Sequence, residues 1–385
     1  MSKYVGENMT IGLPPGLTRL LSQHKGSTVA IGLSGGVDSS VAALLLKLSG
    51  ADVIGVFMKN RYDLNNDEML SAARRVSDVL GIELKVLDVS DDFKRYVIDY
   101  FIQSYERGET PNPCVLCNLH IKFGILMDYA LRFADTYSTG HYVRTQKKMI
   151  DSNERWVLLR GIDKVKDQSY VLSMLSQEVL SRTIFPIGHL RKEKVKRIAE
   201  VYGLPIHTRE SQDLCFTKDR IGFIKGLTKK DYPKGPIVDL DGNIIGGHEG
   251  IIKYAIGQRR GLGIHENKRY YIYDIDVMKN RIVVGGHDDL FVKRFGVKGV
   301  NWIIPKDKPF PAEVIVRNKM DPKRCTVSPE GDYAEVMMEE PIWAVAPGQL
   351  AVFYEGDYVI GGGWITKFRE RWVQSNKHEP DHAPD

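Results

Sequence analysis

Two cysteines spaced two residues apart, Cys114 and Cys117, lie in the stretch TPNPCVLCNLHIKFG at residues 110–124. The chain has four cysteines in all, and the other two are Cys215 and Cys325. Four thiols in 385 residues do not resemble the disulfide framework of a small secreted protein. A CxxC pair is half of a typical zinc site, but no second CxxC or nearby histidine pair completes it. A third interpretation is that these thiols react.

Cys117 is the thiol whose sequence neighbours most favour reactivity. It precedes Asn118, a residue type that commonly caps the N-terminus of a helix. A thiol at a helix N-terminus, with Lys122 in the first turn or so, should have a lowered pKa and be partly thiolate. Pro111 and Pro113 restrict the preceding loop, which helps to aim the thiol. We therefore predict that Cys117 is a nucleophile.

Cys215 follows much later in the chain, in ESQDLCFTKD and beside Asp213. It could be a small core residue, and we adopt that interpretation for Cys325, which lies in PKRCTVSPEGD. Two separated thiols can also transfer sulfur, because one can carry a persulfide while the other breaks the S–S bond by thiol–disulfide exchange. Such a transfer fits best where another part of the chain activates the acceptor.

A glycine-rich loop, AIGLSGGVDSS at residues 30–40, could supply that activation. Gly35 and Gly36 permit the positive φ and the close backbone approach that an anion requires, and the following helix offers free N–H groups. Three serines add hydroxyl donors, and Asp38 could cap the helix or hold a magnesium ion that bridges phosphates. No lysine stands at the Walker-A position, so the loop is not built for γ-phosphoryl transfer. We predict a phosphate site of another kind.

The elements that would position these residues alternate between strand and helix. Apolar runs predict strands at 27–33, 51–58, 82–89 and 135–143, and helical spacing predicts helices at 39–50, 67–81, 91–108, 120–134 and 192–203. This alternation predicts a doubly wound parallel α/β sheet, in which ligands bind outside the carboxyl ends of the strands. The glycine loop lies at such an end.

The pattern changes after about residue 225, where glycines become dense and short alternating strands replace the helices. We predict an N-terminal extension at 1–27, a catalytic α/β domain at 28–225, a small β-rich linking domain at 226–290, a C-terminal β-barrel at 291–372 and a disordered tail at 373–385.

The net charge of +5 is modest, although the stretches 191–197 and 257–262 concentrate basic residues. Each stretch taken alone is most simply a solvated surface. No apolar run is long enough for a membrane span, and the N-terminus lacks the apolar core of a secretory signal. We expect a cytoplasmic protein that binds neither membrane nor DNA.

SGGVDSS resembles the loop of the ATP pyrophosphatase, or PP-loop, superfamily, whose members cleave ATP between the α- and β-phosphates. The blocks GVFMKN, TPNPCVLCNLHIKFG, TGHYV, KDQSYVL, SQDLCF, YAIGQRRGLGI and WAVAPGQLAVFYEGDYVIGGGWI follow in the order found in the tRNA-specific 2-thiouridylase family. The resemblance covers about residues 28 to 366. It implies ATP-dependent 2-thiolation of the wobble uridine, position 34, of tRNA, with release of AMP and pyrophosphate.

The resemblance also implies roles for individual residues. Cys117 corresponds to the catalytic thiol, and Cys215 to a persulfide carrier loaded by a cysteine desulfurase or a sulfur-relay protein. Positions expected at ATP, with Mg²⁺, are Gly32, Leu33, Ser34, Gly35, Gly36, Val37, Asp38, Ser39, Met58 and Gly140. Positions expected at the target base or elsewhere on tRNA are Asn112, Pro113, Cys114, His141, Lys166, Asp167, Gln168, Arg317, Asn318 and Gln349.

One departure from the family pattern matters for the chemistry. Many members have aspartate where this chain has Cys114, so Asp213 becomes the nearest replacement carboxylate within a motif. Cys114, Cys117 and Cys215 could instead hold three irons of a [4Fe–4S] cluster, in competition with the persulfide–disulfide route. Two further functions compete with thiolation, namely that of a different PP-loop tRNA-modifying ligase and that of a nucleotide-regulated RNA-binding protein.

Overall fold

The computed structural model describes residues 12–205, 214–264 and 268–371. The tail predicted at 373–385 lies outside these ranges, as do residues 1–11 of the predicted extension. The strands, in chain order, are β1 (Thr28–Gly32), β2 (Asp52–Lys59), β3 (Glu83–Asp88), β4 (Thr136–Ser138), β5 (Val143–Ile150), β6 (Asn153–Arg160), β7 (Thr183–Ile184), β8 (Gly235–Val238), β9 (Ile244–His248), β10 (Tyr271–Asp276), β11 (Arg281–Gly285), β12 (Phe291–Trp302), β13 (Phe310–Ile315), β14 (Lys323–Glu330), β15 (Tyr333–Trp343), β16 (Leu350–Glu355) and β17 (Tyr358–Arg371).

Helices connect and flank these strands. The α-helices are α1 (Pro15–Ser22), α2 (Val37–Leu48), α3 (Asn66–Leu80), α4 (Ser90–Phe93), α5 (Asp99–Glu106), α6 (Pro113–Leu116), α7 (Leu126–Ala130), α8 (Ser169–Leu172), α9 (Gln177–Ser181), α10 (Lys192–Val201) and α11 (Arg220–Thr228). Two π-helical segments, Lys94–Ile98 and Cys117–Ile125, join α4 to α5 and α6 to α7.

The N-terminal sheet is parallel, with strand order β3-β2-β1-β4-β7. Alternate side chains of a strand point to opposite faces, and each face here has its own apolar cluster. Ala30 and Tyr137 belong to one cluster, whereas Val29 and Ile31 belong to the other. The predicted doubly wound α/β sheet is therefore confirmed, and β1 and β4 lie side by side where the direction of winding reverses.

The helix that carries the first cysteine pair begins earlier than predicted. Pro113 is the first residue of this helix. Proline is favoured there because N–H groups in the first turn have no acceptor within the helix, so the absence of an N–H costs no hydrogen bond. Asn118 lies inside the helical run, where its buried amide donates a hydrogen bond to Val171 O, so the prediction that Asn118 caps the helix was wrong. Cys117 opens the π-helical segment, a rare geometry that often occurs at functional sites.

The C-terminal half is built from antiparallel and mixed sheets, as predicted. Strands β8 to β11 form a four-stranded sheet in the order β10-β11-β8-β9. Strands β12 to β17 form a barrel that closes through the pairing of β12 with β17. The hairpin of β5 and β6, which the sequence did not reveal, leaves the first domain and joins the barrel sheet where Leu159 pairs with Tyr358. The two domains therefore share one sheet.

The described part of the N-terminal extension contains helix α1. Leu17 and Leu21 of this helix are buried in the apolar cluster that also covers one face of the parallel sheet. The sequence assigned no role to this segment, and its packing shows that it contributes to the hydrophobic core. Within the described ranges, no helix has the length and apolar character needed to cross a membrane.

Candidate active site

The glycine loop forms the turn between β1 and α2 that the sequence predicted. Gly35 has φ +76°, a conformation that a residue with a side chain would adopt only at a cost. The Ser39 hydroxyl accepts a hydrogen bond from Ser34 N at 3.2 Å and lies 3.1 Å from the Ser34 hydroxyl. The N-terminus of the 12-residue helix α2 follows directly. This arrangement fits a phosphate group, because backbone N–H groups and hydroxyls converge at the positive end of a helix dipole.

Two other predicted nucleotide positions lie near the carboxyl ends of strands that neighbour β1. Gly140 follows β4 and packs on the first turn of α2, where a Cβ at position 140 would lie 2.6 Å from Ser39 N. Met58 is half-buried near the carboxyl end of β2. Both positions thus lie at the carboxyl edge of the sheet, where parallel α/β proteins bind ligands. Contact of these residues with ATP stays a prediction.

Asp38 is the second residue of α2, and its carboxylate is engaged by two side chains. Lys192 Nζ lies 2.7 Å from each carboxylate oxygen, and the Tyr142 hydroxyl donates to Oδ1 at 2.6 Å. Asp38 therefore does not cap the helix. Lys192 is the first residue of α10, in a basic stretch that the sequence assigned to solvated surface. Its side chain is 17% exposed, so the interpretation of this residue as solvated was wrong.

The Cys117 thiol has an environment opposite to the predicted one. Burial raises the pKa of Cys117 to about 11, and the positive charge of Lys122 only partly opposes this. The sequence predicted a lowered pKa from a helix N-terminus, but the helix begins at Pro113 and the thiol packs inside the run. In this state Cys117 is a protonated thiol, because desolvation penalises the thiolate more than Lys122 stabilises it.

Cys215 lies in the same electrostatic neighbourhood as Cys117. Its pKa is raised, first by desolvation and then by negative charge at Cys117, Asp63 and Cys114, while Lys122 lowers it. The residue is nevertheless exposed at the protein surface. Its backbone carbonyl accepts a hydrogen bond from Leu64 N at 3.1 Å, which joins the loop after β2 to the cysteine. The fold thus places Cys117 close enough to Cys215 for its charge to raise the pKa of that thiol.

The thiols are not joined to one another in this structure. No disulfide joins any two of the four cysteines, and within the described ranges no three histidine, cysteine or acidic side chains are arranged to hold a metal ion. Cys114, Cys117 and Cys215 therefore do not form a ready site for an iron–sulfur cluster. Cys325 is buried in the barrel, where its Sγ donates to Ala312 O at 3.5 Å, in agreement with its predicted core position.

Asp63 is a carboxylate near the thiols that the sequence analysis missed. It affects the pKa of both Cys117 and Cys215. Burial raises the pKa of Asp63 itself, whereas a hydrogen bond from Asn65 N and the charge of Lys122 lower it. The sequence did contain a feature that could have identified Asp63 as a site residue, because it follows the GVFMKN block by three residues. Asp213, the carboxylate that the sequence favoured, lies outside the described residues.

Comparison with known proteins decides the family. Family models match in three consecutive parts: a tRNA methyl transferase HUP domain at residues 27–219, a tRNA methyl transferase PRC-barrel domain at 221–286 and an aminomethyltransferase beta-barrel domain at 292–365. The tRNA-specific 2-thiouridylase MnmA of Clostridioides difficile is 42% identical over 355 residues, which cover 88% of this chain and 98% of that protein. This chain belongs to the tRNA-specific 2-thiouridylase family. The tRNA-specific 2-thiouridylase MnmA of Treponema denticola is 43% identical over 357 residues, which cover 88% of this chain and 97% of that protein.

Membership of the 2-thiouridylase family supports ATP binding by a PP-loop fold, whereas the assignment of the glycine loop to the nucleotide stays a prediction. Among solved structures, the U34-tRNA thiolase NcsA from Methanococcus maripaludis with its [4Fe-4S] cluster aligns with 56% of this chain and 70% of its own. The TM-score is 0.37 at 20% identity, too low to bear on the chemistry of this chain.

The residues expected at the target base lie beside the thiols. Asn112 precedes the first turn of the cysteine helix, Pro113 is buried in that turn, and Cys114 is exposed. His141 is buried, with Nδ1 2.8 Å from the Thr139 hydroxyl, and burial together with Lys122 lowers its pKa well below the usual value. These surroundings fit a packing role for His141, and its contact with tRNA stays a prediction.

The segment from Lys166 to Gln168 divides between surface and internal contacts. Lys166 is exposed. The Asp167 carboxylate accepts hydrogen bonds from Gly161 N and from the backbone and hydroxyl of Ser169. The Gln168 side-chain oxygen accepts from Tyr142 N at 2.9 Å. Of the three, Lys166 is therefore the side chain whose surroundings best suit a tRNA contact, which stays a prediction.

The tRNA positions predicted in the barrel also divide between exposed side chains and side chains with internal contacts. Arg317 and Asn318 are exposed in the turn that follows β13. Gln349, by contrast, directs its amide into the protein and donates hydrogen bonds to the carbonyl oxygens of Thr110 and Pro111, at 3.1 and 3.3 Å. Gln349 therefore contacts the loop that precedes the cysteine pair.

Proposed function

We propose that this protein catalyses the ATP-dependent 2-thiolation of the wobble uridine, position 34, of tRNA. The observation that carries the proposal is the meeting of Cys117 and Cys215 in one electrostatic neighbourhood, in a chain 42% identical to a tRNA-specific 2-thiouridylase along 98% of that relative. A PP-loop enzyme that adenylates without sulfur transfer has no use for two neighbouring reactive thiols.

The first step activates the base. The uracil 2-oxygen attacks the α-phosphate of ATP, and pyrophosphate leaves. Oxide cannot depart from a carbonyl carbon, whereas AMP is a good leaving group. The loop from Gly32 to Ser39 holds the triphosphate through its N–H groups and hydroxyls, with Met58 and Gly140 beside the nucleotide. Lys192 lies at this end of the loop as an ammonium paired with Asp38.

The second step transfers sulfur. Cys215 carries a persulfide, whose terminal sulfur attacks C2 of the adenylated base and displaces AMP. The Cys117 thiolate then attacks the Sγ of Cys215, which forms a Cys117–Cys215 disulfide and leaves the sulfur on the base. A dithiol reductant restores both cysteines. The exposed surface of Cys215 supports its assignment as the thiol that a cysteine desulfurase or sulfur-relay protein loads.

Ionisation of Cys117 is the demanding part of this scheme, because burial holds its pKa near 11. Lys122 is the described cation that favours the thiolate. A uridine in an anticodon loop can leave its stack at low cost and enter the site, whereas a base inside a duplex cannot. Asn112, Pro113 and Cys114 would face it, with Asp63 or Asp213 as the nearby carboxylate in place of the family's aspartate.

Cofactor use follows from the same residues. Mg²⁺ would accompany ATP and neutralise phosphate charge, but Asp38 binds it directly only if Lys192 and Tyr142 release the carboxylate. No step is assigned to an iron–sulfur cluster, because the three thiols do not form a metal site in the described part of the chain. We place the reaction in the cytoplasm, where tRNA and reduced thiols coexist.

We also propose that the chain divides into the extension at 1–27, the catalytic domain at 28–225, the linking domain at 226–290 and the barrel at 291–372, followed by the tail. The ranges of the matching family models, 27–219, 221–286 and 292–365, support this division.

The experiment combines purified protein, an unmodified tRNA transcript with a wobble uridine, ATP, magnesium and a persulfide donor. We expect equal amounts of AMP and 2-thiouridine, each dependent on both tRNA and ATP. AMP formation with no thiolated base would favour another PP-loop ligase. Salt-sensitive tRNA binding with no ATP turnover would favour an RNA-binding protein.

A further inference from the structure

The loop that leads to the cysteine pair is held mainly by the barrel. Thr110 N donates to Pro347 O at 2.8 Å, and the Gln349 amide nitrogen donates to the carbonyl oxygens of Thr110 and Pro111. Pro111 has no N–H of its own. Both backbone polar groups of Thr110 and the carbonyl of Pro111 are therefore satisfied by the turn at residues 347–349, although this turn follows more than two hundred residues later.

A tyrosine reinforces the same junction. The Tyr100 hydroxyl lies 3.4 Å from Gly348 O and 3.5 Å from Asn112 N, so it bridges the turn and the last residue before the cysteine helix. Its ring packs against Trp364 of the barrel at a centroid distance of 5.8 Å. The shared sheet formed by the β5–β6 hairpin fixes the barrel to the first domain. The turn therefore has a rigid base from which to hold the loop.

The same end of the barrel carries the predicted tRNA contacts. Strand β13 ends at Ile315, which pairs with Val352 near the start of β16. Because these strands are antiparallel, the exposed turn with Arg317 and Asn318 leaves β13 on the side where residues 347–349 enter β16. A tRNA bound to the exposed turn would thus lie at the same end of the barrel as the element that holds the cysteine loop.

We propose that Gln349 is a positioning residue that fixes the loop before Cys114 and Cys117, and that the barrel through it sets the geometry of the thiol site. The kinetic consequences of this proposal rest on the proposed function. In this proposal Gln349 acts on the cysteine loop and does not contact tRNA directly. The contacts of the Gln349 amide nitrogen, with Thr110 O and Pro111 O, are both made within the protein, which directs this donor away from the nucleic acid.

Two substitutions test the proposal in the full-length protein. Gln349→Leu keeps approximate volume and removes both donors, and Gln349→Glu places a carboxylate against two carbonyl oxygens. Gln177→Leu is a matched control, because the Gln177 amide makes a similar pair of hydrogen bonds with the backbone of Trp156, away from the cysteine loop. Thermal unfolding confirms that each variant is folded.

The first readout needs no tRNA. We expect iodoacetamide to modify Cys114 and Cys117 at least about threefold faster in both Gln349 variants, since a loop without its anchors opens more often. In the control the rates should stay within about twofold of the wild type. Peptide mass spectrometry assigns the modified cysteine. A role in tRNA binding alone would leave these rates unchanged.

The second readout is catalytic. We expect kcat for thiolation to fall about 10- to 100-fold in the Gln349 variants, with the Kd for tRNA within about threefold of the wild type. A Kd that rises as much as activity falls, with unchanged alkylation, would overturn the proposal and make Gln349 a tRNA contact. Unchanged alkylation with unchanged kcat would overturn it as well. A wild-type protein without thiolation activity would instead refute the proposed function, and the alkylation rates would still report on the loop.

Discussion

The Lys192 ammonium lies 2.7 Å from both carboxylate oxygens of Asp38, at the first turn of the helix that follows the nucleotide loop. The Tyr142 hydroxyl donates to the same carboxylate and the Tyr142 ring faces the ammonium. An aspartate within the SGGVDSS loop is thus linked to a lysine from a basic stretch that, in sequence, suggests nothing more than surface. The pair places a positive charge, with its counter-ion, at the edge of the predicted phosphate site.

Asp38→Asn should abolish AMP formation while the Kd for tRNA stays within about threefold. The amide keeps the shape of the side chain but no longer balances the Lys192 charge, so the ammonium loses its fixed position. Thin-layer or mass-spectrometric detection of AMP and a filter-binding assay for tRNA provide the two measurements. A loss of tRNA affinity as large as the loss of AMP formation would contradict the assignment of Asp38 to the nucleotide site.

Lys192→Met should also reduce AMP formation. The losses of stability caused by Asp38→Asn and Lys192→Met should not add up in the double variant. Each single change leaves one partly buried charge without its partner and should lower the free energy of unfolding by about 1–3 kcal/mol. The double variant should be at least about 1 kcal/mol more stable than the sum of the single effects predicts. Urea denaturation measures all four proteins, and simple additivity would mean that the pair does not interact.

Cys117→Ser and Cys215→Ser should each prevent 2-thiouridine formation but retain AMP formation. A serine hydroxyl fills nearly the same space, yet it neither carries a persulfide nor exchanges with a disulfide. Cys325→Ser serves as the control, since that thiol is buried in the barrel away from the site. Thiolation retained at more than about a tenth of the wild-type rate in either active-site variant would exclude the two-thiol route.

His189 should make stability fall in mild acid. Burial, with a contribution from Arg144, lowers its pKa from 6.5 to about 4, so the folded protein binds the proton more weakly than the unfolded chain does. The stabilisation is complete above the unfolded pKa of 6.5 and is lost as the pH falls toward the folded pKa. At pH 5 the free energy of unfolding should be about 2 kcal/mol lower than at pH 7.5 because of His189. Denaturation of wild type and His189→Gln at pH 7.5 and 5 should show this difference, and an equal pH dependence of the two would contradict it.

Arg317→Ala should reduce the salt dependence of tRNA binding. Loss of one phosphate contact makes the slope of log K against log salt less negative by about 0.7 to 1. The affinity should fall by a similar factor for every tRNA sequence, because a phosphate contact does not read the bases. Binding isotherms at several salt concentrations measure the slope. An unchanged slope would remove Arg317 from the tRNA interface.

The sequence predicted the α/β sheet, the β-rich second half and the nucleotide loop because each depends on local patterns. Alternating apolar runs determine the strands, and Gly35 with its serines determines the loop. It did not reveal the β5–β6 hairpin, whose partner strand β17 lies some two hundred residues away. Long-range pairing of this kind leaves no trace in a local pattern.

The errors at the site have the same origin. Asn118 looked like a helix cap because the helix start was judged from its apolar spacing, whereas Pro113 begins the helix. The Cys117 pKa follows the burial of the thiol, which sequence does not report, rather than its position along the helix. Lys192 and Asp63 reach the site only through tertiary packing, so the sequence placed Lys192 on the solvated surface and assigned no role to Asp63.

The most direct test of the two-thiol account is a single turnover without reductant. Protein loaded with one persulfide at Cys215 is mixed with ATP, magnesium and unmodified tRNA, and mass spectrometry then follows both the nucleosides and the cysteine peptides. The account predicts one 2-thiouridine for each persulfide consumed and a Cys117–Cys215 disulfide in equal amount. Thiolated tRNA formed while both cysteines remain reduced would contradict it.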